Sequence, residues 1–209
     1  TRVETATDAL NEGPNHTELL LGLDEVALFV GYHAKAGTPE AVLNHTFFGH
    51  ALQSLRVDDT EVGEIGWNAR LAGSLGVPVG LVTGDDATVR EAQDELTASE
   101  TVQVKAGIDR FSARCRPAAA TRPAITAASC RAVERAVDGA LSPVQTDGSV
   151  TITASWATTN QAGSAAGVPG VDRRGGRRTA VTANTYPDAF DATVGMLRAG
   201  GAGTDEHYG

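Results

Sequence analysis

Apolar residues follow two rhythms along this chain. Val26, Ala27, Leu28, Phe29 and Val30 form a short unbroken run that stops at Gly31, as expected of a strand over 25–30 buried on both faces. Further on, Val62, Ile65, Ala69, Ala72 and Leu75 recur at helical spacing until Gly76 and Pro78 end the pattern, which predicts a helix with Glu64 near its start. Residues 77–82 read as a second buried strand. Gly84, Asp85 and Asp86 then form an acidic N-cap-like turn leading into a helix that turns Val89, Ala92 and Leu96 inward.

The same two rhythms predict strands over 101–104, 150–156 and 179–183 and helices over 125–137 and 187–197. Pro187 suits a first helical position, and Ala189, Phe190, Val194 and Leu197 give the last helix an apolar face. Residues 157–178 are rich in Gly, Ala and Thr with little periodicity, and they read as a long loop of the kind that can act as a lid. No internal repeat is visible. Strand and helix alternate, so the expected class is α/β, a mixed sheet flanked by helices.

A chain of 209 residues can bury a substantial core and is expected to form one main domain over 1–209. With 41% hydrophobic and 21% charged residues, and no apolar run near the roughly 18 residues needed to span a bilayer, the expectation is a soluble protein. No secretion signal is visible from Thr1 onward, which points to the cytoplasm. A formal charge of -9 argues against nucleic acid and anionic membrane as partners, both of which reward a positive surface. The dense basic cluster Arg173, Arg174, Arg177 and Arg178 has the composition to hold a phosphate or carboxylate. Its paired glycines fit a solvated turn at least as well. Cys115 and Cys130 are too few for a disulfide framework and lack zinc-site spacing, so buried free thiols are expected.

Candidate chemistry gathers in one stretch: His33 just past the first strand, His45 after it, and Glu64 at a helix start. In open α/β sheets ligands bind beyond the carboxyl ends of strands, which favours the position of His33. Two imidazoles and a carboxylate suit zinc or a similar ion, which polarises a carbonyl and activates water. Spacing alone does not make that case, because His33 and His45 are too far apart for one helical turn. His45 reads equally as a surface histidine in a turn, and Glu64 as a carboxylate favoured by the helix dipole.

The segments GYHAKAGTP (from Gly31), NHT (from Asn44), GEIGWNA (from Gly63), VPVGLVTGDD (from Val77) and VKAGIDR (from Val104) together resemble, in the same order, the DppA-type D-aminopeptidases of peptidase family M55. The resemblance runs from about Gly22 to Leu197 and weakens through 157–178. It implies an M55-like α/β fold, two zinc ions per site, and removal of N-terminal D-amino acids from short peptides such as D-Ala-D-Ala. It also implies a homo-oligomer, a decameric ring in the type member. Position by position it makes His33 and Glu64 metal ligands and His45 the catalytic residue, able to carry a proton or stabilise an oxyanion. Lys105 and Arg110 match a basic pair that would steer a substrate carboxylate, or else serve as surface ion-pair partners. Asn68, one turn after Glu64, is placed to orient that ligand, and Asp85 and Asp86 to cap a helix.

The family's Asp-x-Glu-Gly and Asp-Ser/Ala-His motifs, which supply further ligands, are absent from this sequence. His16, in Gly13-Pro14-Asn15-His16, matches neither and is not assigned as a ligand. The approach to the first strand is also short. The expectation is an N-terminally incomplete record of an enzyme, or a non-catalytic remnant serving as an oligomerising scaffold or small-peptide binder.

Overall fold

The computed structural model describes residues 26–203; His16 and Glu25 lie outside the described residues. The strands divide between two sheets. The first has the order β1 (Ala27–Phe29), β4 (Val79–Asp85), β5 (Glu100–Gly107), β6 (Ala113–Cys115). Its first three strands are parallel and β6 is antiparallel. All seven residues of β4 are buried, which is why its first part, through Val82, reads as a buried strand: it lies between two strands with helices packed against it.

The second sheet is antiparallel, ordered β3 (Thr60–Val62), β2 (Leu52–Val57), β7 (Val150–Trp156), β9 (Arg178–Ala183), β8 (Val171–Arg173). Along β7, Val150, Ile152, Ala154 and Trp156 are buried while the residues between them are not, the alternation expected of a sheet with one covered face.

Five helices lie among the described residues: α1 (Glu64–Ser74), α2 (Asp86–Glu95), α3 (Ala118–Val137), α4 (Thr159–Ala166) and α5 (Tyr186–Ala202). The second sheet packs with α4 and α5 around Trp156, Tyr186, Phe190 and Met196. The first sheet packs β1 and β4 against α2, and β4 and β5 against the small residues Ala128 and Ala132 of α3. Helix α1 belongs to both cores. Trp67 and Leu71 enter the cluster of the second sheet, and Ile65, Ala69 and Ala72 that of the first. No described helix is long and apolar enough to cross a membrane.

Three expectations change. The span 157–178 is not one loop, since it contains α4 and β8. Helix α4 starts at a capping box in which Thr158 and Gln161 each bond the other's backbone, a signal carried by cap residues rather than by apolar rhythm. Strand β8 turns into β9 through Arg174 to Arg177, so the arginine cluster is a hairpin turn, with Arg173 donating to the carbonyls of Gly175 and Gly176. Cys115 and Cys130 are free but exposed rather than buried. The helix expected over 125–137 starts seven residues earlier, at Ala118, and accommodates Pro123.

Candidate metal centre

Chain direction in the first sheet delivers His33. After β1 the backbone turns at Gly31, whose amide donates to Thr83 Oγ1 (2.9 Å) and whose φ is +81°. Tyr32 N then donates to Thr83 O (2.9 Å). His33 therefore stands past the carboxyl ends of β1 and β4, as open α/β sheets predict.

His45 arrives on a loop that leaves and returns to the same place. Three non-glycine residues of this loop, Glu40, Leu43 and Phe47, adopt left-handed backbone with φ of 52°, 51° and 54°. Such conformations persist only where the surroundings hold them, and here the anchors are explicit. Val42 N donates to Asp85 Oδ2 (2.7 Å), Ala36 N to Thr46 Oγ1 (3.2 Å), and Phe47 N to Glu64 Oε1 (2.8 Å). Gly107 is obligatory at the end of β5, because a Cβ there would run into Glu40 O.

Glu64 is the first residue of α1, preceded by Gly63 as N-cap without a side-chain cap bond. Its carboxylate sits at the positive end of the helix dipole and turns toward the loop. His33 Nε2 lies 3.5 Å and His45 Nε2 3.9 Å from Glu64 Oε1. The two imidazoles stack at 3.8 Å with planes 18° apart. Each spends Nδ1 on a backbone carbonyl, His33 on Ala34 O (3.2 Å) and His45 on Leu43 O (2.6 Å). With Nδ1 carrying the proton as donor, Nε2 keeps its lone pair, and both lone pairs face the carboxylate.

This donor set fits a zinc ion. His33, His45 and Glu64 can each offer one ligand atom, all within 4.8 Å of one another. Two ligands bonded at roughly 2.0–2.1 Å in tetrahedral geometry stand roughly 3.3 Å apart, close to the 3.5 Å between His33 Nε2 and Glu64 Oε1, while His45 Nε2 stands farther out at 3.9 Å. Imidazole held by a carbonyl on its far nitrogen is the usual arrangement around a bound metal. The side chains are 21%, 30% and 13% exposed for His33, His45 and Glu64, open enough to admit a substrate. Burial draws the His33 pKa below its ordinary value, against the pull of Glu64, which favours the neutral, ligating form.

The other expected residues divide. Lys105 pairs in register with Asp85 at the end of β4, on the same edge as the site. Arg110 is committed to the His45 loop: its Nη1 donates to Asn44 O (2.6 Å) and Asn44 Oδ1 (3.1 Å), and its carbonyl accepts from Leu43 N (2.8 Å). Asn68 donates to the Tyr32 hydroxyl (3.0 Å) rather than to Glu64. Burial pushes that phenol up to about 12, Glu64 adding to the effect and Asn68 opposing it. Asp85 caps α2 as expected, accepting from Thr88 N (2.8 Å) and Oγ1 (2.6 Å), and also ties down Val42.

Glu91 was not singled out from sequence. It sits on the inward face of α2 with Ala87, Thr88 and Ala92, and a charged residue at a core-facing helical position is the signal that marks it.

A profile of the M55 peptidase family, described as D-aminopeptidase, matches residues 11–194. A D-aminopeptidase of Bacillus subtilis (strain 168) is 41% identical over 105 residues, 48% of this chain and 38% of that protein. The structure of the Zn-dependent D-aminopeptidase DppA from Bacillus subtilis, described as a self-compartmentalizing protease, superposes with a TM-score of 0.80 at 28% identity. The match covers 87% of this chain and 65% of that one. The chain thus spans less than two thirds of either protein's length.

Proposed function

Since the chain belongs to the M55 peptidase family, we propose that it carries out, or forms part of a protein that carries out, zinc-dependent removal of the N-terminal residue from short peptides that begin with a D-amino acid. The observation that carries this reading is the convergence of His33 Nε2, His45 Nε2 and Glu64 Oε1, with both Nδ1 atoms turned to carbonyls. His33 and Glu64 hold the ion, and His45 handles the proton.

When bound, zinc supplies a Lewis acid that polarises the scissile carbonyl and makes water a better nucleophile. The residues around it do the rest. His45 stands farther from Glu64 than His33 does, 3.9 against 3.5 Å, and is the more exposed of the two imidazoles. With Nδ1 fixed by Leu43 O, its Nε2 accepts the proton of the attacking water and returns it to the leaving amine nitrogen. Arg110 and Asp85 keep the loop in place while this happens. Lys105, near the end of β5 and in register with Asp85, is the cation assigned to meet a substrate carboxylate.

The test is hydrolysis of D-Ala-D-Ala against L-Ala-L-Ala, with and without zinc, followed by amine release. Turnover of the D-dipeptide alone, abolished by chelation, is the expected result; equal rates on both, or none with zinc bound, overturns the reading. A second reading, an oligomerising scaffold or small-peptide binder without catalysis, draws on the missing Asp-x-Glu-Gly motif and on there being, among the described residues, one group of three side chains able to hold an ion. It predicts D-dipeptide binding by calorimetry with no product. Assembly of copies into a homo-oligomer, supported by the self-compartmentalizing description of DppA, is checked by native mass spectrometry, a decamer being the state implied by resemblance.

A further inference from the structure

One carboxylate near the site is buried in a way that neither capping nor metal binding accounts for. Glu91 is 8% exposed, and a buried carboxylate is costly unless its oxygens are paired. Its Oε2 accepts from the backbone amide of Lys35 at 2.7 Å. Its Oε1 is buried with no hydrogen-bond partner.

What that second oxygen meets is the backbone of Gly63. A Cβ built at Gly63 would run into Glu91 Oε1, and it would lie 2.7 Å from Lys35 Cβ and 3.2 Å from Lys35 Cα. The φ of Gly63 is -93°, which any residue adopts, so glycine is needed there for room and not for conformation. Lys35 is two residues after His33, and Gly63 immediately precedes Glu64. One side chain, projecting from a third element, therefore touches both segments that carry the ligands. Lys35 reinforces the junction by donating from Nζ to Glu61 O (3.3 Å), on β3 just ahead of α1.

We propose that Glu91 is a positioning residue that sets the distance between His33 and Glu64, holding the Lys35 amide with one oxygen and seating Gly63 against the other. It touches neither substrate nor metal. The proposal rests on the metal reading above, since the distance it sets matters only to a shared ligand.

Cobalt(II), whose visible absorption reports ligand geometry, is titrated into the 209-residue chain and into Glu91→Gln, Glu91→Ala and Gly63→Ala, with thermal melts confirming that each variant folds. Glu91→Ala is expected to weaken cobalt binding by about 10–100-fold and to shift the absorption bands, as loss of supporting groups around metal sites does. Glutamine keeps an acceptor for the Lys35 amide, so Glu91→Gln should bind within about threefold of the unaltered chain, by the same reasoning. Gly63→Ala, which leaves Glu91 chemically intact, should move the bands as Glu91→Ala does, and it supplies the answer if the latter does not fold. Unchanged affinity and spectrum in Glu91→Ala and Gly63→Ala overturn the proposal while leaving the metal site standing. So does a Glu91→Gln loss as large as that of alanine. An unaltered chain that binds no cobalt removes the metal reading, and the proposal with it.

Discussion

Each imidazole faces the site with one nitrogen because the other is spent on a carbonyl, Ala34 for His33 and Leu43 for His45. The roles assigned to the two rings are separable by mutation. His33→Ala should cost at least ~100-fold in zinc affinity, since a ligand is lost along with its supporting bond. His45→Ala should leave zinc binding within roughly tenfold while turnover falls ~10²–10⁴-fold, the usual contribution of a proton-transfer group. Calorimetric zinc titration beside dipeptide hydrolysis distinguishes them, and equal loss of zinc in both would make His45 a ligand. Glu91 gives a pH prediction at the same scale. Burial raises its pKa, opposed mainly by the Lys35 amide. The folded state therefore binds this proton more tightly than the unfolded chain does, and stability falls as pH rises from the ordinary carboxylate range through the folded pKa. In Glu91→Gln that part of the fall should vanish, as melting temperatures measured across mildly acidic pH would reveal.

At the scale of elements, Asp85 joins two jobs that are usually separate. It caps α2 through Thr88 and anchors the His45 loop through Val42. Asp85→Ala should cost about 2–4 kcal/mol, from loss of a cap and an orphaned buried amide. That corresponds to a drop in melting temperature on the order of 5–15 °C, measurable by circular dichroism. The sequence announces such elements unevenly. Strand β4 and helix α1 are legible because burial on both faces, or on one helical stripe, leaves an apolar rhythm. Helix α4 buries only Gln161, Ala162 and Ala165, so its apolar rhythm is nearly silent and only Thr158 and Gln161 mark it. The hairpin of β2 and β3 escapes notice because it turns on Asp58, left-handed at φ 50°, between short strands of mixed polarity. The site follows the same logic. The identities of His33, His45 and Glu64 can be read from motifs, but their convergence depends on Asp85, Arg110 and Glu91, which reach across 43, 66 and 56 residues of chain to the loop. No local pattern encodes such long-range contacts.

For the whole molecule, the ligands come from the loop after the first sheet's β1 and from the helix shared by both sheets. A metal held between them favours the folded chain over the unfolded one by mass action. At zinc concentrations about 100 times the dissociation constant this amounts to about 2.7 kcal/mol, or roughly 5–10 °C in melting temperature. Chelation should reverse it, and a melt that ignores zinc would mean that His33 and Glu64 do not share an ion. Helix α1 has a mechanical meaning as well. It presses Trp67 and Leu71 into one core and Ile65, Ala69 and Ala72 into the other, and its first residue is Glu64. Packed cores move as rigid bodies rather than deforming smoothly, so a load on the antiparallel sheet would be delivered along this lever to the carboxylate that both histidines face.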